Sequence, residues 1–392
     1  MNRRHVIRLI GGGAFVSTAA ALAGCSSDYP AEALLPWQGP GAEPDLRRWA
    51  LGYAILAPSA HNRQPWIADL RTPDSIALHV DRARTLPETD PWFRQVMIGQ
   101  GTFIESLVIA LKQRGVTPVV QLFPDGEFAP RGLDDRPVAR VSWSVGAPAP
   151  RPDPLFEQLL RRCTVKLDYD TNRPVANDTL AALQAVLVDL AVRCSATLDP
   201  ARVEPLRTLC IDAARAELTT ARTVMESVQL TRVGPGEIAL NRDGISINAP
   251  MPRALTALGL FDRRNPPAEG GAAYRQMMGR FEGHSRTAMG FVWLSTMTAE
   301  HLAAGTSRSA EVAAGRAYMR LQLRATELGL QMHPMSQAPE EFAEMKPHYQ
   351  RLHALLVGQP ATRQTVQMFC RIGHCESAQH APRRALQEVI RA

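Results

Sequence analysis

The stretch Ala57-Pro58-Ser59-Ala60-His61-Asn62-Arg63-Gln64-Pro65-Trp66 decides how the rest of the chain is read. It follows a segment, 45 to 56, in which Leu46, Trp49, Ala50 and Ala54 share one helical face. Pro58 stops that helix, because the residue before a proline is pushed out of the helical region. The short polar side chains of Ser59 and Asn62 then favour a tight backbone turn. Such a turn presents small donors and acceptors to whatever lies beside it, although the same two residues also serve simply to shape it. His61, inside the turn, is either a ligand contact or an ordinary surface histidine.

Outward from the turn, residues 76 to 80 alternate as a strand and 101 to 114 as a helix burying Phe103, Leu107, Ala110 and Leu111. Strands are expected over 116 to 123 and 139 to 143. The linker Gly146-Ala147-Pro148-Ala149-Pro150-Arg151-Pro152 closes a first half, 46 to 150. The second half, 151 to 392, is expected to open with a helix ending at Arg161-Arg162-Cys163-Thr164-Val165-Lys166. Arg173-Pro174-Val175 follows, then a helix capped by Asp178. Helical patterning covers 201 to 231 and resumes over 285 to 304 and 310 to 328, with a strand over 365 to 371. Between these, a Gly/Pro-rich insert from 234 to 284 has the composition of a mobile loop and is expected to form a lid.

The whole chain has 392 residues, 45% hydrophobic and 21% charged, with a formal charge of +6. This is a globular composition with room for one large or two closely packed domains. The positive excess is scattered, without a run of five basic residues, so nucleic acid is not an expected partner; an anionic small molecule or a membrane surface is.

The first 25 residues read as an export signal. Arg3 and Arg4 precede an apolar stretch from 6 to 22 and then Leu22-Ala23-Gly24-Cys25. The paired arginines resemble a twin-arginine signal, and the final four residues resemble a lipobox in which Cys25 is acylated. The alternative, a plain membrane-spanning anchor, is disfavoured because the apolar run falls short of the roughly 20 residues a span needs. Residues 26 to 45, with Pro30, Pro36, Pro40 and Pro44, are read as a tether. With Cys25 lipidated, five cysteines remain, so at least one is free or pairs between chains. Cys370 and Cys375 beside His374 match no common zinc spacing, and His348 and His353 do not share a helix face, so no metal is expected.

Taken together, the Pro58-Ser59…Asn62 turn, Arg161-Arg162-Cys163-Thr164-Val165-Lys166, Gly329-Leu330 after a long amphipathic helix, and Arg383-Arg384 resemble, in that order, the motifs of the nitroreductase family. The resemblance spans most of 45 to 392. It implies an α+β fold with mixed sheets flanked by helices, duplicated in one chain, and FMN as cofactor. In ordinary members each FMN takes its phosphate arm from one subunit and its polar turn from the other. Here the turn occurs only in the first half and the arm only in the second, which resembles the Acg-like tandem branch and implies one composite site in a monomeric pseudo-dimer.

By that resemblance Pro58, Ser59 and Asn62 serve the ring edge, and Arg161, Arg162, Thr164, Arg383 and Arg384 clamp the phosphate. Lys166 lies nearer the ring, Gly329 and Leu330 follow the helix beside it, and the loop Pro334-Met335-Ser336-Gln337 passes one flavin face. Cys163 departs from the family's usual small polar residue or histidine. The expected activity is reduction of nitro compounds, quinones or similar small acceptors with an unidentified electron donor, the alternative being non-catalytic flavin sequestration. Arg161 and Arg162 also suit the dipole of a helix C-terminus, and Arg383-Arg384 also suit solvated surface.

Overall fold

The computed structural model describes residues 27–391, apart from 145, 147, 188–190, 261, 298–306 and 359–363. The expected signal and Cys25 therefore lie outside the described residues. The chain is α+β with mixed sheets. Five strands form one sheet in the order β11-β1-β2-β4-β3: β1 Trp66–Asp69, β2 Ser75–Val80, β3 Val119–Leu122, β4 Ala139–Ser142 and β11 Ile390–Arg391. Pairing is antiparallel except for β1 with β11, where Ala68 sits opposite Ile390. A second, antiparallel sheet runs β5-β8-β10-β9, from β5 Val192–Thr197, β8 Gly290–Met297, β9 Gln331–Pro334 and β10 Gln364–Gly373.

Two 20-residue helices pack against each other: α3 Arg94–Gln113 and α10 Arg308–Glu327. They cross at Gly101 and Gly315. A Cβ on Gly101 would meet the Val312 carbonyl oxygen at 2.1 Å, and one on Gly315 the Ile98 carbonyl oxygen at 2.0 Å. The backbones therefore touch, which only glycine permits. Beside the crossing, Glu105 accepts from Arg316 and Arg320, each at 2.9 Å, and Arg320 also reaches Asp153 at 2.8 Å.

The helix expected over 45 to 56 is α2 Leu46–Ala54, capped by Asp45, whose carboxylate accepts from the amides of Arg47 and Arg48. Several expectations are corrected. Residues 290 to 297, read as helix, form the buried central strand β8. A strand covered on both faces is continuously apolar, so its period does not separate it from a buried helix. No long helix precedes Arg161; a single 3-10 turn, Phe156–Gln158, does. Asp178 is not a cap either: α4 spans Asn177–Gln184 with Ala176 before it, and Asp178 sits in its first turn.

The expected tether is packed. Helix α1 Ala31–Leu34 and the turn Leu35–Gln38 bury Ala33 and Trp37. The insert is mainly regular structure: α5 Pro200–Thr219 and α6 Ala221–Gln229 lead through β6 Thr231–Val233 into α7 Gly234–Asn241, β7 Ile245–Ile247, α8 Pro250–Ala257 and α9 Ala272–Arg286. Its first part is pinned rather than loose. Buried Asp243 takes ion pairs from Arg63 at 2.6 Å, Arg84 at 2.9 Å and Arg232 at 2.9 Å. The final helix of the second half is α11 Lys346–Val357.

Candidate functional site

The turn after α2 is strained. His61, Asn62 and Gln64 hold φ of 46°, 50° and 52°, a left-handed conformation that costs non-glycine residues of order 1–3 kcal/mol each and persists only where the surroundings impose it. Gln64 does much of the imposing. Fully buried, it donates its side-chain amide to the carbonyls of Asn62 and Arg242, and its side-chain oxygen accepts from the Arg384 amide. Ser59 Oγ accepts from the Gln64 amide at 2.9 Å, so Ser59 shapes the turn. The Pro58 carbonyl accepts from Thr102 Oγ1 on α3.

Asn62 links this turn to the C-terminal arginines. Its Nδ2 donates to the Pro382 carbonyl at 2.9 Å, and its Oδ1 accepts from Arg383 Nη1 at 2.8 Å. Arg383 Nη2 and Arg162 Nη2 both donate to the Leu56 carbonyl, each at 3.0 Å, and Arg162 Nη1 reaches Thr164 Oγ1 at 3.3 Å. Both guanidiniums are buried, and each leaves its Nε without a partner. Among the described residues neither has a carboxylate partner. Burial, and for Arg383 also the neighbouring Arg162, lowers both pKa values, that of Arg383 to about 9.

Trp37 roofs this pair. Its ring lies 4.9 Å from the Arg383 guanidinium and 5.6 Å from that of Arg162, its Nε1 donates to the Ala381 carbonyl, and His380 stacks on it at 4.0 Å. The backbone of Arg383 also donates to the Ala33 carbonyl. Half-buried Cys163 and Thr164 lie beside the pair on the arm.

Other expected site residues sit elsewhere. Arg161 is exposed. Arg384 is turned to the Gln64 carbonyl at 3.1 Å and toward Asp81 at 3.7 Å, so it braces the turn. Gly329, at φ 63°, ends α10, where Leu330 N returns to the Ala325 carbonyl; Leu330 is buried in the core with Met332 and Ile372.

A second polar group lies further along the arm. Arg371, buried on β10, donates to the carbonyls of Leu167 and His284 and to His333 Nδ1, and stands 3.9 Å over the Tyr169 ring. His284 Nε2 lies 2.9 Å from the Lys166 carbonyl. These contacts fix an irregular, non-helical arm where a helix end was expected. Lys166 keeps exposed surface, but crowding protein strips water from its ammonium and lowers its pKa, with Arg280 adding to the effect and Glu217 opposing it.

Glu217, on α5, was not singled out in the sequence, where it resembles any helical surface glutamate. It is buried, with Oε2 unpartnered, and burial raises its pKa to about 7, opposed by the nearby Gln337, Lys166 and Ser227. Ser227 Oγ in turn lies 3.1 Å from His61 Nε2. Burial, then Lys166 and Arg63, lower His61 to about 4, so it is neutral at pH 7. The arrangement therefore offers a shielded dicationic end at Arg162 and Arg383, and a buried Glu217 with the Ser227–His61 pair near Lys166. The described residues contain no cluster of His, Cys, Asp or Glu suited to a metal, and their five cysteines are free thiols.

No family model matches the chain. Two curated proteins bearing the name NAD(P)H nitroreductase acg, from the CDC 1551 and H37Rv strains of Mycobacterium tuberculosis, are each 30% identical over 189 residues, 47% of this chain and 50% of theirs. The chain thus spans about half the length of the curated relatives it matches. Among solved structures, the FMN-dependent nitroreductase NfnB of Mycobacterium smegmatis, in complex with NADPH, aligns with 60% of this chain and 96% of its own at 15% identity, TM-score 0.37. The FMN- and NADPH-dependent nitroreductase NfnB from the sphigopyxis strain HMH aligns with 61% and 98% at 18% identity, TM-score 0.36. Over about half its length, the chain is thus similar to the proteins named NAD(P)H nitroreductase acg.

Proposed function

We propose that the chain is an FMN-binding oxidoreductase that reduces nitro compounds, quinones or similar small acceptors at one composite site built from both halves. The observation that carries this reading is the convergence of Arg162 and Arg383 on the Leu56 carbonyl without a carboxylate. Two buried like charges with orphaned Nε atoms fit a multiply charged anion such as a flavin phosphate, for which charge-assisted bonds from guanidinium are the favoured recognition.

Arg162, Arg383 and Thr164 would hold the phosphate, with Asn62 fixing Arg383. Bound FMN would supply two-electron transfer, chemistry that no side chain provides. Lys166 would favour negative charge on the ring. Reduction of a nitro group or quinone also consumes protons, and Glu217, buried and half-protonated near neutral pH, would supply one. The two long helices crossing at glycine hold the halves as one body, which suits a monomer in which a tandem pair replaces a dimer. Export on a twin-arginine signal and a lipid on Cys25 complete the proposal.

The test starts with the colour of the purified chain. A flavin absorption band, with the chromophore released on denaturation identified as FMN, is the expected result, and a colourless protein that does not take up added FMN overturns the cofactor assignment. Anaerobic mixing of the loaded protein with NADH, NADPH or a reduced quinol then reads catalysis. Bleaching by at least one, reversed by a nitroaromatic or quinone, is expected; bleaching by none identifies a flavin store instead.

A further inference from the structure

The insert carries an apolar face that none of the described residues covers. On α8, Met251 and Leu255 lie four residues apart, with Leu258 three further on, placing them along one side of the helix. Met251 and Leu258 are 70% and 72% exposed, Leu260 is 66% exposed, Leu240 at the end of α7 is 84% exposed, and no residue of α8 is buried. A cluster of large exposed side chains on one element is unusual for a protein that meets only water. Between Asp243 and Asp262 the sequence has a single charged residue, Arg253, and Arg263 and Arg264 follow.

The position of this helix relative to the N-terminal segment identifies its occupant. Asn248 Nδ2, two residues before α8, donates to the Asp28 carbonyl at 2.5 Å, and Tyr29 Oη donates to the Ser246 carbonyl at 3.2 Å. Cys25 is three residues before Asp28, so even fully extended chain places it within about 10 Å of that contact. The first described residues, three positions after Cys25 in sequence, therefore lie beside the segment that leads into α8.

We propose that α8 is a membrane-docking element, lying in the interface of an anionic lipid surface with Met251, Leu255, Leu258 and Leu260 among the acyl chains and Arg253 and exposed Arg264 at the headgroups, while Arg263 stays paired with Glu237. Apolar side chains in the interface with cations at the headgroups bind in proportion to the apolar area buried and the attraction to anionic lipid. The docking element orients the protein as well as retaining it, because α8 is joined through β7 and Asp243 to the Gln64 turn. The proposal rests on the export reading for the presence of a membrane, but not on the flavin or on acylation.

The test uses the full chain carrying Cys25→Ala, which cannot be acylated, with and without vesicles of phosphatidylethanolamine and phosphatidylglycerol. Hydrogen exchange of peptides covering 250 to 260 is expected to slow at least severalfold in the presence of vesicles, and the double variant Leu255→Asp, Leu258→Asp to abolish that slowing while melting as the parent does. Exchange that is the same with and without vesicles overturns the proposal. So does slowing that tracks protein concentration in the absence of lipid, which marks a second copy as the occupant. Slowing that persists in the double variant also overturns it, since residues 6 to 22 alone would then be bringing the protein to the lipid. The mass of the mature wild-type protein reads acylation independently, so an unacylated Cys25 leaves the docking result intact.

Discussion

Arg162 and Arg383 share one acceptor, the Leu56 carbonyl, with both donors at 3.0 Å. A neutral carbonyl does not offset two buried positive charges, so the pair is an unfinished electrostatic arrangement that an anion would complete. Replacing Arg383 by Met is expected to weaken FMN binding by about 10- to 100-fold, the equivalent of the ~1.5–3 kcal/mol of a hydrogen bond to a charged group. Fluorescence-quenching titration measures it, and an unchanged affinity would remove Arg383 from the site.

Trp37 predicts the kinetics. Its ring covers both guanidiniums and is itself tied to Ala381 and His380. Trp37→Ala is expected to speed FMN release about tenfold, in keeping with the ~0.5–2 kcal/mol of a shielded cation–π contact. Stopped-flow dilution into an FMN scavenger reads the rate; an off-rate equal to wild type would make Trp37 a packing residue only.

Glu217 predicts a pH signature. Its folded pKa, raised from 4.5 to about 7 by burial, means the folded state holds a proton that the unfolded state has lost. Its contribution to stability is whole below pH 4.5, declines as pH rises to about 7, and is then level. Glu217→Gln removes this dependence. The stability difference, variant minus wild type, is expected to grow between pH 4.5 and 7 by up to about 3 kcal/mol, at ~1.4 kcal/mol per unit. Urea melts at pH 4.5, 6 and 8 measure it, and a flat difference would show that Glu217 titrates normally.

The glycine crossing predicts intolerance. Gly315→Val puts a side chain where the Ile98 carbonyl already lies, and backbone cannot swing aside as a side-chain tip does. The loss is expected at the top of the ~1–3 kcal/mol range for overpacking or beyond it. Thermal melting of the variant against wild type tests this; a Tm within a degree of wild type would mean that the helices separate freely.

The turn at 57 to 66 was legible because proline, serine and asparagine act locally, and the strands at 75–80, 139–142 and 364–373 because their apolar residues follow strand patterns and lengths. What escaped depends on partners distant in sequence. The arm after Arg161 is non-helical because Arg371 and His284 hold its carbonyls, and nothing within 161 to 169 announces that. Trp37 is buried by residues more than 100 positions away, so a four-residue helix among prolines looked like a tether. Arg384 and Arg383 are adjacent in sequence, yet one braces the turn through Gln64 and the other faces Arg162. Charge type predicted both, but direction is set by the fold.

The parallel pairing of Ala68 with Ile390 has a bearing on how the molecule is made. The first sheet lacks one of its strands until residues 390 and 391 arrive, and the arginine pair likewise waits for residue 383. A ribosome that has completed the first half has produced a sheet with an open edge and a turn with no brace. Assembly of this site therefore waits on a pairing between segments more than 300 residues apart, and closure over that distance is slow. A cofactor bound at Arg162 and Arg383 would be captured only once residue 383 has joined the fold.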